Sequence, residues 1–166
     1  MEIDPRAPRF GALITTFVFV IGLAIGFRYP VAAAICAGAQ AVVFAIGAGF
    51  GLRWAPYGVL YRKLIRPRLG PPAELEPEAP PRFAQGVGVL FAVLAAIGYA
   101  SGLTPLGIAG AGAALIAAFL NGAFGFCLGC EMYLIIRTLA PSTDQHKYSG
   151  ENGPLRDEPG QVSVKK

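Results

Sequence analysis

Charged residues are scarce in this chain. Asp, Glu, Lys and Arg make up 14% of its 166 residues, against about 25% in an ordinary soluble domain. That shortfall excludes an ordinary globular surface. Histidine is scarcer still: the single one, His146, lies in a polar C-terminal stretch. Its isolation removes most Ser-His-Asp triads and most zinc sites, which need imidazole beside a nucleophile or a metal. Three cysteines exclude a dense disulfide framework. The net charge is only +4. No motif calls for nucleic acid or for a bound cofactor.

What is abundant is apolar. Hydrophobic residues reach 54%, there are 22 glycines, and the mean hydropathy is +0.54. Glycine at that level suits helices that pack closely in lipid. Four apolar runs cover 10–27, 31–52, 83–103 and 106–136. Each is long enough for a bilayer, which takes roughly 20 residues per span. The expected fold is all-α: an integral membrane bundle of four helices in residues 1–139, with a disordered tail at 140–166. The run 106–136 exceeds one upright span, so it is one tilted helix or a helix broken near Asn121-Gly122. Arg6 and Arg9 before an apolar run, with Ala32-Ala33-Ala34 after it, outline a signal peptide. The run is too long for a signal core, however, and Arg28 and Pro30 stand before the alanines, so retention is expected.

Basic residues set the orientation. The middle loop carries Arg53, Arg62, Lys63, Arg66, Arg68 and Arg82, and the C-terminal side carries Arg137, Lys147, Arg156, Lys165 and Lys166. The two short loops opposite carry only Arg28. By the positive-inside rule both termini and the middle loop are cytoplasmic. Within that loop a short helix is expected over 56–66, ending before Pro67. Tyr57, Leu60, Tyr61 and Leu64 share one face, so the helix is expected to lie at the cytoplasmic surface with its aromatics at headgroup level and Arg62, Lys63 and Arg66 against anionic lipid. The stretch 71–81, with Glu74, Glu76 and Glu78, reads as an extended spacer. Pro8-Arg9-Phe10 and Pro81-Arg82-Phe83 enter two of the apolar runs alike. They suggest two tandem hairpins, although Pro, Arg and Phe also suit any helix entering a membrane.

Chemistry concentrates near the end of the last run. Cys127-Leu128-Gly129-Cys130 is a Cys-x-x-Cys whose spacing suits a disulfide, a dithiol-exchange pair, or half of a four-thiolate metal site. On a regular helix Cys130 would lie roughly 10 Å inside the membrane boundary. Gly125-x-x-x-Gly129, with Gly122 on the same small face, also reads as a helix-packing motif, in which the cysteines are filler. Glu131 follows at once, placed to move a thiol proton, to pair with Arg137 or Arg53, or to snorkel to the interface. Gln40 and Asn121 are uncharged polar groups at membrane depth, suited to interhelical hydrogen bonds. Cys36 sits at a different depth and reads as packing.

Several stretches carry a family resemblance: Asp4-Pro5-Arg6 with Arg9-Phe10, Arg66-Pro67-Arg68-Leu69-Gly70-Pro71-Pro72, and Pro80-Pro81-Arg82-Phe83-Ala84-Gln85. The most specific is Gly125-Phe126-Cys127-Leu128-Gly129-Cys130-Glu131-Met132-Tyr133. With these the chain resembles an uncharacterised family of small bacterial membrane proteins, a domain of unknown function, over about residues 3–138. Members are associated with thioredoxin-like and rhodanese-type sulfurtransferase proteins. The resemblance therefore implies thiol redox or persulfide handling in the bacterial plasma membrane, and it assigns no site residues. The leading expectation is a thiol protein in which Cys130 exchanges with such a partner, Cys127 resolves the mixed disulfide, and Glu131 moves protons. One Cys-x-x-Cys at one depth is no electron conduit. A quinone, a second protein or movement of the segment is needed. The alternatives are a homo-oligomeric channel or carrier for a sulfur species, a four-thiolate metal site from Cys127 and Cys130 of two chains, and a purely structural subunit.

Overall fold

The structure, a computed structural model, describes residues 2–72 and 74–139. The expected tail at 140–166, with His146, lies outside the described residues. Proline marks the helix starts, where its missing N–H is no loss. After a two-residue strand, β1 (Glu2–Ile3), come α1 (Arg6–Gly26) and α2 (Pro30–Phe50). A helical segment then runs through α3 (Pro56–Leu60), a π-helical turn (Tyr61–Ile65) and α4 (Arg66–Leu69). Strand β2 (Glu76–Pro77) leads to α5 (Ala79–Ala100) and α6 (Thr104–Phe119). A second π-helical turn (Leu120–Phe124) and α7 (Leu128–Leu139) complete the chain. Four stretches are long and apolar enough to cross a membrane: Arg6–Gly26, Pro30–Phe50, Ala79–Ala100 and Thr104–Phe124. This is an all-α, multi-pass membrane protein.

The spans form a closed ring in the order α1, α2, α5, α6, with α2 and α5 sharing the longest seam. Call the end where α1 and α5 begin the basic end, since Arg9, Arg53, Arg62 and Arg82 gather there. The opposite half of the ring is solid. Phe19, Ala33, Ala37, Ala92, Ala95, Tyr99 and Ala111 are buried in one cluster. Small residues let the backbones close in; a Cβ on Gly98 would strike the backbone of Gly107.

The middle loop differs from the sequence expectation in three ways. Helix continues past Pro67, because the π-helical turn lets the Arg66 N–H donate to Tyr61 O. The wider turn makes room for a proline ring that would otherwise press on the carbonyl four residues back. Tyr57 and Tyr61 point into the protein. Tyr61 is buried, with its ring 5.8 Å from that of Phe10 and its hydroxyl donating to Asp4 Oδ2 at 3.1 Å. Third, the acidic stretch is no free spacer. β2 pairs antiparallel with β1, Glu2 opposite Pro77. Glu78 is buried, its Oε1 accepting from Leu52 N–H at 2.7 Å. One turn on, Arg82 donates to Ala48 O and Gly49 O at 2.9 and 3.0 Å. Those carbonyls end α2 and have no partner in their own helix.

The two halves repeat these contacts. Arg82, at the start of α5, holds the end of α2, while Arg9, at the start of α1, lies against Gly125 after the end of α6. Phe10 pairs with Tyr61 and Phe83 with Tyr133, both at 5.8 Å between rings. Gly51 and Gly125 both take positive φ where a span ends. Ala55 O and Cys127 O then accept the first hydrogen bond of the short helix that follows each, from Val59 N–H and Glu131 N–H. Tandem hairpins, each followed by a short helix, describe residues 2–72 and 74–139.

Candidate functional site

The site begins where the fourth span stops. Gly125 adopts a left-handed φ of 71°, and its N–H donates to Asn121 O at 2.9 Å. Such a cap suits glycine, which has no Cβ to clash. The helix is broken near Asn121-Gly122, one of the two forms expected: the π-helical turn Leu120–Phe124 holds both residues and the helix ends at Gly125, so the cysteines lie beyond the span and not on a regular continuation of it. Two residues on, Cys127 takes the N-cap position of α7. Its carbonyl accepts from Glu131 N–H at 3.1 Å, and its Sγ accepts from Cys130 N–H at 3.3 Å. Cys127 and Cys130 sit at disulfide distance with Cα atoms 5.2 Å apart, inside the usual range. Both are half-buried.

Cys127 sits at the positive N-terminal end of α7. The Cys130 N–H, in the first turn of α7, points at the Cys127 sulfur. The Arg9 guanidinium lies against Gly125, so close that a Cβ there would run into it. In the sequence Arg9 stands out as a basic residue at the entrance to the first span and as part of the repeat, and its approach to this loop is a tertiary fact.

The glycines expected on one packing face are split between two elements, α1 for Gly122 and Gly125 and α5 for Gly129, because the helix breaks between them. Gly122 meets Leu13 of α1, Gly125 meets Arg9, and Gly129 meets Ala84 of α5. Tyr133 against Phe83 fixes the second turn of α7. Glu131 is exposed. Neither Arg137 nor Arg53 pairs with it: among the described residues the one ion pair is Arg6–Asp4, at 3.0 Å. Cys36 is free, on α2 in the opposite half of the ring.

Inside the basic half the ring is hollow. A cavity of about 450 Å³ extends from the Cys127 loop to the middle of the bundle. Its wall includes Cys127, Asn121, Gln85, Tyr57 and Thr15 among apolar side chains such as Phe44 and Phe91. Buried Gln40 organises the polar part: its Nε2 donates to Thr15 Oγ1 at 3.0 Å, and its Oε1 accepts from the Tyr57 hydroxyl at 2.8 Å. Burial pushes the Tyr57 hydroxyl above its usual range, the bond to Gln40 offsetting only part of this, so it stays a protonated donor. Gln40 thus joins α1, α2 and α3, the interhelical use expected of it. Asn121 faces the cavity instead, its backbone carbonyl capping Gly125. Thr15 carried no sequence signal beyond being polar in an apolar run.

A second cavity, of about 380 Å³, opens at the basic end beside Asp4, Arg53, Tyr61, Arg62 and Arg66. Lys63 is exposed outside it. Among the described residues no three His, Cys, Asp or Glu side chains come together, so a four-thiolate metal site requires a second chain. A family model described as Domain of unknown function (DUF4395) matches residues 3–138. No curated protein and no solved structure matches the chain.

Proposed function

The chain belongs to the DUF4395 family, and we propose that it is a membrane thiol–disulfide protein whose reactive bond joins Cys127 and Cys130. One observation carries this reading. The pair sits at disulfide distance with Cys127 at a helix N-cap, its sulfur accepting a backbone N–H. A thiol used only for packing needs none of these features. Low-energy thiolates at helix N-termini are the nucleophiles of dithiol exchange. The roles therefore run opposite to the sequence expectation: Cys127 attacks or leaves as thiolate, and Cys130 resolves. Glu131, exposed one turn along, is free to relay a proton to water.

The basic end faces the cytoplasm of a bacterium in this reading, since most of the Lys and Arg outside the spans gathers there. The partner is then a cytoplasmic thioredoxin-like dithiol or a persulfide-bearing sulfurtransferase. Exchange with either makes and breaks one S–S bond per turn. Arg62, Lys63 and Arg66 meet anionic headgroups beside the site.

The test is a redox titration of the protein in native membranes, with mass-tag alkylation from the basic side and Cys36 as internal control. Reversible two-electron behaviour of Cys127 and Cys130 is expected within about −180 to −300 mV, the span of thiol oxidoreductases and their cellular buffers. Thiols that stay reduced and unreactive throughout would sink the proposal. The oligomeric-carrier and shared-metal readings would then be taken up by uptake assays and metal analysis.

A further inference from the structure

The pair raises a question of electron supply. A disulfide that is made at one face of a membrane must send two electrons somewhere, and Cys127 already forms part of a cavity wall inside the ring of spans. We infer that this cavity binds the ring of a lipid-soluble quinone, which oxidises the Cys127–Cys130 dithiol. The inference rests on the redox reading of the pair proposed above.

Three properties of the cavity select that chemistry. Its position between spans and its mostly apolar wall favour an occupant that partitions into lipid. Its volume, about 450 Å³, falls within the range of small-molecule sites. Its polar groups are few and separate, as orientation of a ligand requires. Gln85 and Asn121 present amides, the N–H donors a quinone's two carbonyl oxygens need, while the Tyr57 hydroxyl, already donating to Gln40, offers its oxygen as an acceptor for the hydroquinone. Phe44 and Phe91 offer flat faces to a planar ring. A soluble peptide or thiol has no comparable reason to enter.

The step balances. Cys127 and Cys130 lose two protons and two electrons as the S–S bond forms. The quinone gains the same two electrons and two protons, and its carbonyl oxygens become hydroxyls. The partner's dithiol then reduces the disulfide by exchange, and the cycle repeats.

The experiment uses the full chain in lipid nanodiscs, reduced, freed of reductant and kept anaerobic. Decylubiquinone is the probe. Quinone loss is followed by ultraviolet absorbance and disulfide formation by mass tags. The expected result is one hydroquinone per disulfide formed, at a rate that saturates with quinone. Ala117→Phe, which fills the cavity from α6, raises the half-saturating concentration about tenfold or more. Val87→Phe does the same from α5 and stands in if the first variant fails to fold. Reoxidation by oxidised glutathione remains in both. Hydroquinone formation that is linear in quinone and indifferent to filling overturns the inference. So does its absence from protein that still cycles with glutathione. A pair that cycles with neither oxidant overturns the thiol reading itself.

Discussion

Gly129 is the point at which packing can be made to control the site. A Cβ at this position would stand 2.6 Å from both the Cα and the Cβ of Ala84. That is about 1 Å inside ordinary carbon–carbon contact. Ala84 sits in the first turns of α5, so the obstacle is helix backbone and cannot rotate away. Gly129→Ala must therefore push α7 outward or strain α5, at a cost of about 1–3 kcal/mol. Expressed as local opening of α7, this is roughly a 5- to 150-fold rise in the undocked population. Hydrogen–deuterium exchange in nanodiscs reads it directly: amides of Leu134 to Thr138 exchange faster by that factor, while those in the middle of α2 and α5 do not change. Ala84→Gly removes only one of the two clashing atoms, since its Cα remains. The double variant should recover less than half of the loss. Unchanged exchange in Gly129→Ala would refute the contact, and full rescue by Ala84→Gly would refute the claim that α5 backbone is what Gly129 touches.

Three further outcomes follow from the same geometry. In a Cys36→Ser background, the thiol left by Cys130→Ser is alkylated faster at neutral pH than the one left by Cys127→Ser, as timed by intact mass. Equal or inverted rates would remove the N-cap role of Cys127. Replacing Gln40 by Leu strands Tyr57 and Thr15 and lowers stability by about 1–3 kcal/mol; Tyr57→Phe costs about 1 kcal/mol or less, and a double-mutant cycle in thermal melts shows the two effects to be non-additive. Asp4 gives the pH dependence. Burial alone would raise its carboxyl, but hydrogen bonds from Arg6 and Tyr61 outweigh it and hold it below the usual range. A folded value below the unfolded one stabilises the anchored N-terminus at neutral pH, and this is lost as pH falls through the folded value. Exchange at Ile3 should rise in acid, and Asp4→Asn should show the acid behaviour at neutral pH.

The spans were legible because hydrophobicity over 20 residues depends on no partner. The Pro-Arg-Phe pair was legible as a recurring triplet at two helix entrances, although what each arginine holds, the end of α2 for Arg82 and Gly125 for Arg9, is set by tertiary structure. Gln40 could be assigned because a buried amide in lipid has few options besides another helix. The end of the helix at Gly125 was harder. Gly122, Gly125 and Gly129 are equally able to end a helix, and the choice depends on Arg9 and Leu13, which arrive from the other end of the chain. Periodicity put Tyr57 and Tyr61 on one face but could not say whether that face meets lipid or protein. Glu78 read as spacer because its partner, Leu52 N–H, is brought by tertiary structure alone. The cysteines were obvious, but the cavity beside them was not, because a hollow is made by what surrounding residues leave unfilled.

The duplication explains where that hollow comes from. In the first half, Tyr57 stands over Gly11 of α1, its Cβ in ordinary contact with where a Gly11 Cβ would be. In the second half the equivalent pair is Gly129 over Ala84 of α5. In the second half both partners are small. Tyr57 sends a ring into the bundle and ties it to Gln40, whereas Gly129 sends nothing, and the space stays open beside Cys127. The N-cap positions differ in the same sense: Ala55 in one half, Cys127 in the other. One repeat thus uses its short helix to lock three helices together, and the other holds its short helix against α5, by the Gly129–Ala84 approach and the Tyr133–Phe83 rings, with a sulfur at its tip. Rigidity on one side of the cavity and reactive chemistry on the other is the arrangement a preorganised site requires, and a twofold repeat supplies it through substitutions at two equivalent positions.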